Sequence, residues 1–138
     1  MSICSTGVYE KYGVRYQTLT LTDGAYALTV APEKGGMAIS FQKDGDEYLW
    51  LRDKNFESTD RTRCGIPILF PSCSKPEGGV HMFGGQAYPI EIHGFADLLP
   101  WSVAKAEDEA IELTLTPNGL TKFCYPFDFK LTMRSTLA

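Results

Sequence analysis

The sequence predicts an all-β protein, an antiparallel β-sandwich that occupies residues 1–138 as a single domain. Three observations carry that prediction. Apolar and polar residues alternate with a period of two, the pattern of a half-buried strand. The gaps between these runs hold Gly, Asp and Asn, which tolerate positive φ. No window of helical length places apolar residues at i, i+3, i+4 and i+7.

The runs follow in chain order. VRYQTLTL at residues 14–21 alternates by face. Residues 26–30, 37–42 and 47–51 are short runs rich in aromatic and aliphatic side chains. In AIELTLT at residues 110–116, Ile111, Leu113 and Leu115 share one face, and Glu112, Thr114 and Thr116 share the other. Residues 127–137 set Phe127, Phe129, Leu131 and Met133 against Asp128, Lys130, Thr132 and Arg134. Gly35-Gly36, Asp44-Gly45 and Asn118-Gly119 fall in the gaps, and the last two read as hairpin turns. Strands about 8–12 residues apart with turns between them make a sandwich.

Residues 65–100 break the pattern. Pro67, Pro71, Pro76, Pro89 and Pro100, with glycines at 65, 78, 79, 84, 85 and 94, leave no room for long ladder-forming strands. Ile66, Ile68, Leu69, Phe70, Met82, Phe83, Tyr88, Ile90 and Phe95 make the segment too apolar for disorder, so a packed, site-building region is expected. From Arg134 to Ala138 a strand pattern runs on without a turn or charged tail. A sandwich cut there leaves an edge and an apolar face open. The expectation is an incomplete half, covered by a second copy of the chain or by a missing C-terminal half.

Composition narrows the function. The chain is 43% hydrophobic and 22% charged, which excludes disorder. A net charge of −4, with Lys and Arg scattered, leaves no nucleic-acid footprint. No apolar stretch approaches the ~18 residues of a membrane span. MSICSTGVYEKYG has no basic start followed by an apolar run, so no signal peptide is expected. Cys4, Cys64, Cys73 and Cys124 form no CxxC pair and read as reduced thiols of a cytoplasmic protein, with Cys64 a small buried one.

Two segments carry chemistry: RCGIPILFP at residues 63–71, and HGFA at residues 93–96 followed by Pro100-Trp101. Taken singly, His93 reads as a structural polar group and Arg63 as a solvated or ion-paired one. In order and at this spacing they resemble the aldose 1-epimerase family, nearest its glucose-6-phosphate 1-epimerase-related branch. Tyr88 in YPIEI, GGMAISFQKDGDEYLWL at residues 35–51 and YPFDFKLTMRSTL at residues 125–137 extend the resemblance over nearly the whole chain.

The resemblance implies a galactose mutarotase-like supersandwich that interconverts the α and β anomers of a hexose or hexose phosphate, with no cofactor and no metal. A base takes the proton of the anomeric hydroxyl while an acid protonates the ring oxygen. The ring opens, the C1 aldehyde turns over and the ring closes. One carboxylate and one or two imidazoles held near pH 7 suffice. The resemblance makes His93 catalytic and gives Arg63 the sugar hydroxyls or a phosphate, a task suited to its planar fork. Tyr88 and Phe95 become walls of the sugar site or, alternatively, core residues.

Two departures matter. The family's arginine after HGFA is Asp97 here, and an acid at that place repels a phosphate. On an extended segment His93, Phe95 and Asp97 point the same way, so Asp97 touches the site or orients His93, or else is a solvated loop acid. The family's second histidine and its glutamate base lie downstream of residue 138, which leaves this chain with His93 and Arg63 but no base. His81 does not match that second histidine. His81, Glu91 and His93 lack the HxH or HxxxH spacing of a metal site. Two other functions stay open: a non-catalytic carbohydrate-binding module, and a structural domain that dimerises.

Overall fold

The computed structural model describes residues 1–11, 13–51, 61 and 64–138. It is built of antiparallel strands: β1 (Ile3–Lys11), β2 (Val14–Asp23), β3 (Tyr26–Ala31), β4 (Met37–Lys43), β5 (Asp46–Glu47), β6 (Val80–Phe83), β7 (Gln86–Pro89), β8 (Ser102–Glu107), β9 (Ala110–Leu115) and β10 (Leu131–Ser135). Strands β1 to β5 form one sheet in sequence order. A second sheet runs β10-β9-β8, and β6-β7 is a separate hairpin.

The two larger sheets close over one core, and the period-two runs supply it. Leu19 and Leu21 of β2 and Val30 of β3 meet Ile111, Leu113 and Leu115 of β9. Leu21 and Ile111 are fully buried. The facing polar residues pair with one another: Thr20 with Thr29 at 2.8 Å, and Arg134 with Glu112 at 3.1 Å. At the edge, the amide of Cys4 donates to Asp108 Oδ1 at 2.8 Å, which ties β1 to the β8–β9 turn. The first sheet is also covered on its other face, where Ala31, Met37 and Ile39 are buried with Tyr9, Tyr16 and Leu51 packed against them.

The turns sort into expected and unexpected. Asp44 (φ 52°) and Gly45 (φ 87°) are both left-handed, as a two-residue hairpin between Lys43 and its partner Asp46 requires. Glu47 secures that corner. Its Oε1 accepts from the amides of Phe41 and Leu49, each at 2.9 Å, and its Oε2 accepts from Ser40. Asn118-Gly119, by contrast, is not a hairpin turn. Asn118 caps a short helix, α1 (Gly119–Cys124), and Thr121 returns the bond in a capping box. Cap and turn use the same Asx chemistry, and here the helix takes it.

Other boundaries shift for identifiable reasons. The ladder of β10 starts at Leu131, because Tyr125, Phe127 and Phe129 leave it for an aromatic cluster with Phe70, Phe83 and Phe95. The run at 47–51 keeps only Glu47 in a strand. The proline-rich segment holds no long strand, yet it folds one hairpin of two four-residue strands, β6–β7, around Gly84 and Gly85.

Two measurements follow. Leu113→Ala is expected to lower the unfolding free energy by about 2–5 kcal/mol in urea titration, the range for truncating a buried leucine. Glu47 supplies a pH test. Burial alone raises its pKa, but the hydrogen bonds it accepts outweigh burial and hold the carboxyl below its ordinary 4.5. The unfolded chain therefore takes the proton first. This contribution to stability is full above about pH 5 and is lost as pH falls through the depressed folded pKa. Glu47→Gln is expected to flatten unfolding free energy against pH between about 5 and 3; an unchanged slope removes Glu47 from that role.

Candidate functional site

The segment that carries His93 is a series of turns between β7 and β8, not an extended run. His93 (φ 68°) and Gly94 (φ 74°) are both left-handed. The expectation that His93, Phe95 and Asp97 point the same way fails for that reason, since side chains alternate only along a strand. The turn is anchored to the RCGIPILFP segment. Gly94 bridges Phe70, whose carbonyl accepts from the amides of Phe95 at 2.9 Å and Ala96 at 3.3 Å. Any side chain at 94 would begin 2.3 Å from that same carbonyl oxygen, so only glycine fits. Downstream, the Trp101 indole donates to the Ala96 carbonyl at 2.8 Å and the Trp101 amide to Pro32 at 2.8 Å.

His93 is half-buried and held twice. Its amide donates to the Ser74 carbonyl at 3.2 Å, and its ring Nδ1 lies 3.0 Å from the Cys73 carbonyl. A carbonyl can only accept, so Nδ1 carries the proton. In the neutral ring Nε2 then holds the lone pair and is the atom able to exchange a proton with a ligand.

Asp97 is neither a solvated loop acid nor a free carboxylate. Its two oxygens lie 2.6 and 2.7 Å from Arg61 Nη1, while Arg61 Nη2 donates to the Gly94 carbonyl at 2.9 Å. The Asp97 side chain is 6% exposed and that of Arg61 17%. Burial pushes the Asp97 carboxyl above its ordinary range, against the opposing pull of the Arg61 charge and, more weakly, of His93. Arg61 was not picked out from the sequence. The signal for it was Asp97 itself: a buried acid needs a cation, and that cation lies 36 positions upstream.

The remaining expected residues fall in different places. Arg63 lies outside the described residues. Phe95 is 4% exposed and sits in the core between Phe70 and Phe129. Tyr88 stands on β7 opposite His81 of β6, its ring 5.7 Å from Phe83. Two depressions lie in this region, and the first of them reaches Gly94. One, of about 420 Å³, is lined by Ile90, Glu91, Gly94, Phe95, Leu98 and Phe123 among others. The other, of about 340 Å³, is formed by Phe70, Pro71, His81, Met82, Phe83 and Tyr125. Polar tips over aromatic floors suit a ligand with hydroxyls on one side and C–H groups on the other. Among the described residues, no three His, Cys, Asp or Glu side chains gather as metal ligands, and no helix is long and apolar enough to cross a membrane.

Comparison with known proteins gives consistent matches. The family described as Aldose 1-epimerase matches residues 17–138. A protein of Escherichia coli K12 provisionally named glucose-6-phosphate 1-epimerase is 30% identical over 105 residues, which cover 71% of this chain and 32% of that one. The solved structure of the Slr1438 protein from Synechocystis superposes with a TM-score of 0.87 at 29% identity, covering 94% of this chain and 47% of that one. A galactose mutarotase-like protein from Lactobacillus casei superposes at 0.77 with 28% identity, covering 88% and 40%. The chain thus spans about a third of the length of the curated relatives it matches.

The anchoring of the turn is open to a direct check. Gly94→Ala adds a methyl group 2.3 Å from the Phe70 oxygen at a left-handed φ. It is expected to cost about 3 kcal/mol or more, the left-handed alanine accounting for roughly 1–2 of that. Thermal unfolding at parental stability would contradict the arrangement.

Proposed function

The chain belongs to the aldose 1-epimerase family, and from that premise we propose that it forms the N-terminal portion of a sugar 1-epimerase, with His93 as the imidazole this portion brings to the reaction. The observation that carries the reading is the His93 ring, fixed through Nδ1 with Nε2 left to move a proton to or from the sugar. Ring opening needs an acid at the ring oxygen and a base at the anomeric hydroxyl. Asp97, the carboxylate nearest in sequence after His93, is paired with Arg61 and does not serve as that base. The base and the second acid come from a complement to this chain.

The substrate is a hexose or hexose phosphate. Because Arg61 neutralises Asp97, the acid at that position does not by itself turn a phosphate away. The occupied carboxylate also favours a second reading for the chain acting alone: sugar binding without turnover.

Saturation-transfer NMR on glucose, galactose and glucose 6-phosphate tests both. The chain alone is expected to bind a sugar with little or no anomer exchange. In the complemented enzyme His93→Ala is expected to slow exchange about 10²-fold or more. Rapid exchange by this chain alone that survives His93→Ala would sink the assignment.

A further inference from the structure

Arg61 makes two contacts of different kinds. Through Nη1 it holds a buried carboxylate, and through Nη2 it holds the carbonyl of the residue after His93. The second arm supplies a donor to the carbonyl of a buried residue, and so ties the salt bridge to the backbone of the turn. That carbonyl belongs to the second of two consecutive left-handed residues, and the first of them, His93, has a Cβ that makes the conformation unfavourable. Such a conformation persists only where its surroundings over-determine it.

The surroundings here can be counted. Ser74 holds the His93 amide, Phe70 holds the amides of Phe95 and Ala96, and Glu91 accepts from the Gly94 amide at 3.0 Å. All of these fix N–H groups. Among the described residues, Arg61 is the contact that fixes the peptide plane leaving Gly94 from its oxygen side. Asp97, three residues further on, anchors the guanidinium, so the turn closes on itself through a side-chain clamp.

We propose that Arg61 is a positioning residue: anchored by Asp97, its guanidinium grips the Gly94 carbonyl, and this locks His93 in the left-handed conformation that seats Nδ1 on the Cys73 carbonyl and leaves Nε2 free for the ligand. The clamp deepens the reading of His93 as the sugar-facing imidazole and rests on that reading for its consequence in catalysis, but the geometry it fixes is measurable without any sugar.

The test reads the imidazole directly. In protein labelled with ¹⁵N at histidine, long-range ¹H–¹⁵N spectra report which ring nitrogen carries the proton. The parent is expected to show His93 as a single Nδ1–H tautomer. Arg61→Lys keeps a positive charge beside Asp97 but replaces the planar two-armed donor with one nitrogen. It is expected to fold and to shift His93 to a mixture of tautomers, with His81 unchanged as an internal reference. Arg61→Gln and Asp97→Asn are expected to do the same where they fold. Arg134→Gln, which breaks the exposed pair with Glu112, is expected to leave the His93 spectrum alone. If His93 keeps its parental tautomer and shifts in folded Arg61→Lys, the clamp is only a salt bridge and the proposal falls. Failure of sugar binding in the parent would instead count against the proposed function and leave the ring spectra interpretable.

Discussion

The carbonyl of Phe70 is the junction on which the site depends. It accepts two amides from the turn after His93, and the absence of a side chain at Gly94 is what lets the two strands of chain come that close. Neither motif has a geometry of its own without the other. Once joined, they deliver Phe95 and Ala96 into the space between the sheets, where they pack with Leu21, Ile111 and Leu113. The segment that presents the imidazole is therefore also a piece of the core. Its position is set by packing density, which tolerates small displacements poorly.

Charge follows the same economy. A carboxylate at position 97 has little access to water and would be costly alone. Arg61 offsets that cost. The desolvation that raises the Asp97 pKa is the reason such a pair contributes modestly to stability for its geometry, so a role in placing the turn explains its presence better than stability does.

Much of the sandwich was legible because burial leaves a mark on sequence only where one face differs from the other. β2, β4 and β9 have that contrast. β1 and β8 lie at sheet edges and are exposed at almost every position, so neither shows an alternation to read. The β6–β7 hairpin is too short, and its last residue, Pro89, reads as a breaker. The site divides in a similar way. His93 emerged from the order and spacing of two motifs, whereas its left-handed backbone did not, since nothing in the residue type announces it. Arg61 stayed hidden because a salt bridge joining residues far apart in sequence has no local signature.

Gly35 and Gly36, between β3 and β4, have a wider bearing than their turn requires. A methyl group on Gly35 would lie 2.3 Å from the Asp97 carbonyl oxygen, and one on Gly36 would lie 3.1 Å from the Trp101 ring. The bare backbone of this turn is thus the mould against which the outgoing limb of the histidine segment is cast. A bulkier residue there would press first on the Asp97 backbone and the Trp101 ring rather than on the five-stranded sheet. The turn at 35–36 and the segment from Asp97 to Trp101 thus share one contact surface, and side-chain volume added to the turn has to be taken up by that segment.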